Sequence, residues 1–257
     1  MQKVQLGNTG FETSRLGVGL SEIGSFELSD QAQATNVLNT ALDNGINFLD
    51  TSACYGISEE LVGNGVSQRR DDYFLATKAG HIARGYEGEA WTFQTVVDSI
   101  DRSLRLLQTD HVDVVQLHSC DIDVLEKGDA IRALQEAQQA GKTRFIGYSG
   151  DNESAHWAVD SGLFATLQTS YNLVEQRART TGLLEKAWAR SSSALSPEGS
   201  GASHAPMPPT RLPATTTRPI STAPNLCEPS VPSKTSPTMR FSLRSDTRSA
   251  TRTPTSQ

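Results

Sequence analysis

One pattern constrains this chain more than any other. A short apolar run followed by an amphipathic helical stretch recurs six times between Leu16 and Ala189. The runs at 16–19, 46–49, 73–77, 112–117, 144–148 and 166–169 read as strands. The stretches at 31–44, 58–68, 92–108, 123–140, 153–160 and 181–189 read as helices. Ser29 and Asp30 offer cap chemistry to the first helix, whose apolar face is Ala34, Val37, Leu38, Ala41 and Leu42, and Gly45 closes it. Strands as apolar as Val112-Asp113-Val114-Val115-Gln116-Leu117 suit burial on both faces, which means parallel pairing through right-handed helical crossovers. A further pair of short strands around the Gly7-Asn8-Thr9-Gly10 turn reads as an N-terminal β-hairpin.

Two α/β architectures satisfy this alternation: an open doubly wound sheet or a (β/α)8 barrel. An open nucleotide-binding sheet wants Gly-x-Gly-x-x-Gly after its first strand, and Leu16-Gly17-Val18-Gly19-Leu20-Ser21 supplies two glycines and no third. The barrel is preferred because reactive groups gather where its strands end. Asp50 and Tyr55 follow the second strand, Lys78 the third and His118 the fourth. A carboxylate, a phenol, an ammonium and an imidazole at successive strand ends make a proton-donating site. A phenol with an ordinary pKa of about 10 releases its proton reluctantly at neutral pH. Lys78 within reach of Tyr55 would favour the phenolate, with Asp50 holding the ammonium and His118 orienting a substrate oxygen.

The composition changes abruptly near Ser191. Up to Arg190 there are 16 Lys and Arg against 26 Asp and Glu, whereas 191–257 holds 7 against 3. All eleven prolines lie after Ser196. The acidic body has no basic stripe for nucleic acid, no run is long enough to span a membrane, and no apolar leader follows Met1. Cys54, Cys120 and Cys227 have neither disulfide-framework nor metal-ligand spacing, as expected of a cytoplasmic protein without a metal centre. Trp91, Trp157 and Trp188 read as packing residues, with Trp91 in a loop that could border a pocket.

The motifs resemble those of the aldo/keto reductases. Gly45-Ile46-Asn47-Phe48-Leu49-Asp50-Thr51-Ser52-Ala53-Cys54-Tyr55-Gly56 with Ser58-Glu59-Glu60-Leu61-Val62-Gly63 is similar to the family's first signature. Ala76-Thr77-Lys78 and Val115-Gln116-Leu117-His118 resemble its lysine and histidine strands, and 141–149 its second signature. The resemblance covers about residues 3 to 190. It implies a (β/α)8 barrel that binds NADPH, less often NADH, in an extended pose and reduces a small aldehyde or ketone to an alcohol. It implies a catalytic set of Asp50, Tyr55, Lys78 and His118, with Tyr55 as general acid. It also implies that Ser149 and Gln168 bind the nicotinamide carboxamide. Where the family commonly places Asn after that serine, this chain has Gly150, followed by Asp151.

The expectation is therefore an incomplete barrel of about six βα units over 1–190 and a disordered Ser/Thr/Pro/Arg-rich tail over 191–257. Nothing in the tail resembles the family's last two strands or its cofactor-phosphate contacts. The change falls inside a normally begun helix, which points to a shifted reading frame; the other two frames of the downstream coding DNA test that. Six strands with open edges predict poor solubility and weak NADPH binding. The alternative reading is accordingly a catalytically dead or non-catalytic binding protein on the same scaffold, because the cofactor-phosphate contacts are missing. Oligomeric state and the particular carbonyl substrate are not legible.

Overall fold

The computed structural model describes residues 1–7, 9–83 and 85–194. The expected tail lies outside the described residues from position 195 onward.

Two short strands, β1 (Lys3–Gln5) and β2 (Glu12–Ser14), pair antiparallel as the expected hairpin. Next come β3 (Val18–Gly19), α1 (Gln31–Asp43), β4 (Phe48–Asp50), α2 (Ser58–Val66), β5 (Phe74–Ala79) and α3 (Phe93–Leu107). Then follow β6 (Val112–His118), α4 (Ile122–Lys127), α5 (Asp129–Gln139), β7 (Thr143–Ser149), α6 (Asn152–Ser161), β8 (Thr166–Gln168), α7 (Arg177–Thr180) and α8 (Leu183–Ala194). Strands β3 to β8 form one curled parallel sheet in chain order, an α/β partial (β/α)8 barrel. Among the described residues β3 and β8 each pair on one side only. No helix there is long and apolar enough to cross a membrane.

All seven residues of β6 are buried, which is why Val112, Val114, Val115 and Leu117 dominate that stretch. Its one carboxylate, Asp113, is neutralised near the N-terminal end by Arg70 at 2.7 Å and Arg144 at 3.0 Å, and it accepts from the Leu75 N–H at 2.9 Å. On α3 Val96, Ile100 and Leu107 are buried with Val97 and Leu104 half-buried, and Thr92 caps the helix by accepting from the Thr95 N–H. On α1 the outcome is mixed. Ala34, Leu38 and Leu42 are buried, but Val37 is exposed, and Asp30 stands at the N-cap without a side-chain bond to the helix. The single helix expected over 123–140 is two, because Gly128 takes φ +77° and breaks the turn between α4 and α5.

The hairpin lies across the N-terminal end of the sheet. Phe11 stacks on Phe74 (4.6 Å between centroids) and meets Phe145 edge-on (5.2 Å), while Arg144 covers its other side. Asn47 donates its backbone N–H to the Ser14 hydroxyl at 2.9 Å, and a Cβ on Gly7 would come within 2.4 Å of the Ala165 carbonyl. The hairpin therefore touches chain beside β4, β5, β7 and β8. Phe11→Leu keeps the apolar bulk and loses the ring contacts. It should lower unfolding free energy by about 1 kcal/mol in urea titration, and an unchanged midpoint would mean that the rings add nothing.

Candidate active site

The opposite end of the sheet gathers the reactive groups. Asp50 closes β4, Lys78 lies one residue from the end of β5, His118 closes β6, Ser149 closes β7 and Gln168 closes β8. Tyr55 rides on the loop between β4 and α2. Gly56, at φ +51°, turns that loop; a Cβ there would strike the Gly24 carbonyl at 2.1 Å. The loop is also held from behind. Arg102 donates to the Ala53 carbonyl at 3.3 Å and pairs with Glu59 at 3.3 Å, and Thr77 donates to the other Glu59 oxygen at 2.7 Å. Burial pushes the Glu59 carboxyl above its usual range against those partners.

Lys78 is among the most deeply buried side chains of the protein. Its ammonium donates to both Asp50 oxygens, at 2.9 and 2.8 Å, and to the Thr51 carbonyl at 2.9 Å. Burying such a charge is tolerable only with these partners. The same ammonium stands 4.9 Å from the centre of the Tyr55 ring. Ammonium and phenol ring are thus neighbours. His118 meets Tyr55 edge-on at 5.9 Å between centroids. The structure therefore brings Asp50, Tyr55, Lys78 and His118 together.

Ser149 and Gln168 flank this group. His118 is the register partner of Ser149, and Ser149 that of Gln168. Ser149 is buried while Gln168 is exposed, its Nε2 donating to Asp50 at 3.0 Å. The glycine at 150 has a local cause: a Cβ there would come within 2.6 Å of the Tyr148 hydroxyl, which is fixed on the Cys120 carbonyl at 2.9 Å. Asp151, one place further, binds the Ser170 N–H and hydroxyl and the Thr169 hydroxyl, at 2.7, 2.9 and 2.7 Å. It ties the segment after β8 to the start of α6.

Several further groups surround His118. His118 Nδ1 lies 3.3 Å from the Ser52 hydroxyl and 3.6 Å from the Cys54 thiol. The His81 ring packs edge-on against His118 and against Trp91, at 4.7 and 4.9 Å between centroids. Trp91 is more than packing. Its indole N–H donates to the His118 carbonyl at 2.8 Å, its backbone sits at φ +56°, and its ring occupies the space where a Cβ on Gly80 would stand, 2.5 Å away. No spacing rule points to these residues, since His81 and Trp91 lie in the irregular segment after β5. Burial pushes the Cys120 thiol up to about 12, so it stays protonated and inert at neutral pH.

Burial, reinforced by the nearby His118, holds the His81 imidazole below its ordinary 6.5. The unfolded chain then binds a proton that the folded one resists. Stability from this residue is complete above about pH 6.5 and drains away as pH falls toward the folded value. Melting temperature should therefore drop between about pH 7.5 and 5.5, and His81→Asn should flatten the drop. An equal pH dependence in the variant would remove His81 as its source.

A protein-family model for the aldo/keto reductase family matches residues 15–191. The chain belongs to the aldo/keto reductases. It is 40% identical over 161 residues to L-galactose dehydrogenase of Arabidopsis thaliana, covering 58% of this chain and 50% of that protein. It is 31% identical over 184 residues to the aldo-keto reductase YhdN of Bacillus subtilis, covering 68% of this chain and 55% of that one. The holo form of an aldo-keto reductase from Bacillus halodurans superimposes with a TM-score of 0.65 at 30% identity, covering 73% of this chain and 64% of that structure. This chain spans about half the length of the curated relatives it matches.

Proposed function

We propose that this chain is an NAD(P)H-dependent oxidoreductase that reduces a small aldehyde or ketone to an alcohol, with NADPH preferred. The observation that carries the reading is the Lys78 ammonium, clamped on Asp50 and poised 4.9 Å from the Tyr55 ring. Tyr55 gives its proton to the carbonyl oxygen and takes one back in the reverse oxidation. Lys78 makes that release easier by favouring the phenolate, and Asp50 fixes the ammonium's place and charge. His118 orients the carbonyl oxygen, its ring held by Ser52 and His81 and its backbone carbonyl by the Trp91 indole N–H.

The described residues fit the nicotinamide end of the cofactor. A carboxamide has one acceptor oxygen and a two-donor nitrogen. The Ser149 hydroxyl can donate to the first, and Gln168 carries both kinds of group at the adjacent strand end. A buried amide oxygen of Gln116, with no donor among the described residues, adds an unmet acceptor on the same wall. When bound, the cofactor supplies hydride to the carbonyl carbon. Nothing in the sequence at 191–257 resembles the family's contacts to the cofactor phosphates, and from position 195 onward that segment lies outside the described residues. A cytoplasmic location accords with the three cysteines, which lack disulfide spacing.

The test is NADPH oxidation by the full-length chain in the presence of small aldehydes, with deuteride delivered from labelled NADPH to the alcohol carbon. Turnover that depends on the aldehyde supports the reading. NADPH binding without turnover would instead favour the binding-protein alternative.

A further inference from the structure

Gln116 interrupts an otherwise apolar stretch two residues before His118, so both side chains leave β6 on the same face. It is only 4% exposed. Its Nε2 donates to Asp50 Oδ1 at 3.3 Å and to Gln168 Oε1 at 3.1 Å, while Gln168 Nε2 donates to Asp50 Oδ2 at 3.0 Å. Two amides and one carboxylate thus close a ring across the concave face of the sheet. Reversing the Gln116 amide would set its oxygen against those of Asp50 and Gln168, so its partners fix its orientation.

To reach β8 from β6 the Gln116 side chain must pass over β7, and it does so at a glycine. A Cβ on Gly147 would come within 3.1 Å of Gln116 Cγ and 2.3 Å of the Thr166 hydroxyl. Gly147 and Gln116 therefore belong to one device. The ring leaves Gln168 one N–H and one lone pair to spare, so it can hold a carboxamide without releasing Asp50.

We propose that Gln116 is a positioning residue whose amide bridge couples the carboxamide-binding end of the site, at Gln168, to the proton-donating end, at Asp50, Lys78 and Tyr55. The assignment of those two ends rests on the function proposed above; the bridge itself rests on the Gln116 contacts and the gap at Gly147. Hydrogen bonds in such a chain polarise one another, so occupancy at one end is felt at the other, and the coupling is reciprocal.

The experiment compares Gln116→Met, of similar length but without amide groups, with the unaltered chain in two measurements. The first is titration of the Tyr55 phenol by difference absorbance, identified by subtracting Tyr55→Phe in each background. The groups around that phenol are Lys78 and Asp50 from β5 and β4, His118 from β6, His81 from the loop after β5, Cys54 on its own loop, and Glu59 and Arg102 behind it. All remain in Gln116→Met. Without the amide donor, Asp50 neutralises Lys78 more fully, so the midpoint should rise by about half a unit to one unit. The second measurement is the dissociation constant for NADPH by calorimetry, which should weaken about 3- to 10-fold.

A side chain that merely fills space would lower the melting temperature and move neither quantity. An unmoved phenol midpoint overturns the proposal, whether or not NADPH binds. Failure of the unaltered chain to bind NADPH counts against the function proposed above and not against the bridge, which the titration still decides. If Gln116→Met does not fold, Gln168→Met removes a donor to the same carboxylate at an exposed position, and an unmoved midpoint there is equally fatal.

Discussion

Asp50→Asn should unfold about 3–5 kcal/mol more easily than the unaltered chain, although the side chains differ by only one atom type. The cost arises at Lys78. Its ammonium is 2% exposed and spends two of its three protons on Asp50, so the amide leaves a buried cation without its counter-charge. The amide nitrogen would also face the Nε2 donors of Gln116 or Gln168, which now point at carboxylate oxygens. Urea denaturation measures the loss. Adding Lys78→Met to Asp50→Asn should recover part of it, because the stranded charge is then gone. A double variant as unstable as the sum of the two singles would show that the pair is not energetically coupled.

Tyr55→Phe should cut turnover by about 10²- to 10⁴-fold, the range for loss of a positioned general acid. Stability should change little, since Tyr55 is only half-buried and keeps its ring against Lys78 and His118. The comparison separates chemistry from folding because circular dichroism and NADPH binding should match those of the unaltered chain. Retained turnover in Tyr55→Phe would assign the proton to another group, with His118 the first to examine.

The fold was legible because helical crossovers force strand burial on both faces, and that burial writes itself into residues such as Val112, Val114, Val115 and Leu117. The hairpin and the order of the six parallel strands follow from that pattern and from the glycine turn. Element ends were less legible. Gly128 breaks a helix whose polar and apolar spacing runs on through it, and Val37 faces out although it keeps the helical period. In the site, groups at strand ends were found because their chain positions are marked by the strands themselves. His81 carries no such mark, and Trp91 reads only as a residue of a loop that could border a pocket, because both reach the site through a loop, where no period constrains which way a side chain points. Gln116 carried a signal that went unused: a polar residue in a buried strand, in phase with His118, requires a polar partner on the far side.

The seating of the hairpin has a consequence for how the chain is made. Phe11 leaves the ribosome well before its aromatic neighbours Phe74 and Phe145, and Gly7 well before Ala165, which it abuts. At about 5–20 residues per second, synthesis of the last of these trails by roughly eight to thirty seconds. Over that interval the first fifteen residues have no finished seat, and an apolar ring stays available to chaperones. Full docking of the hairpin must therefore wait until the chain around β8 has been made.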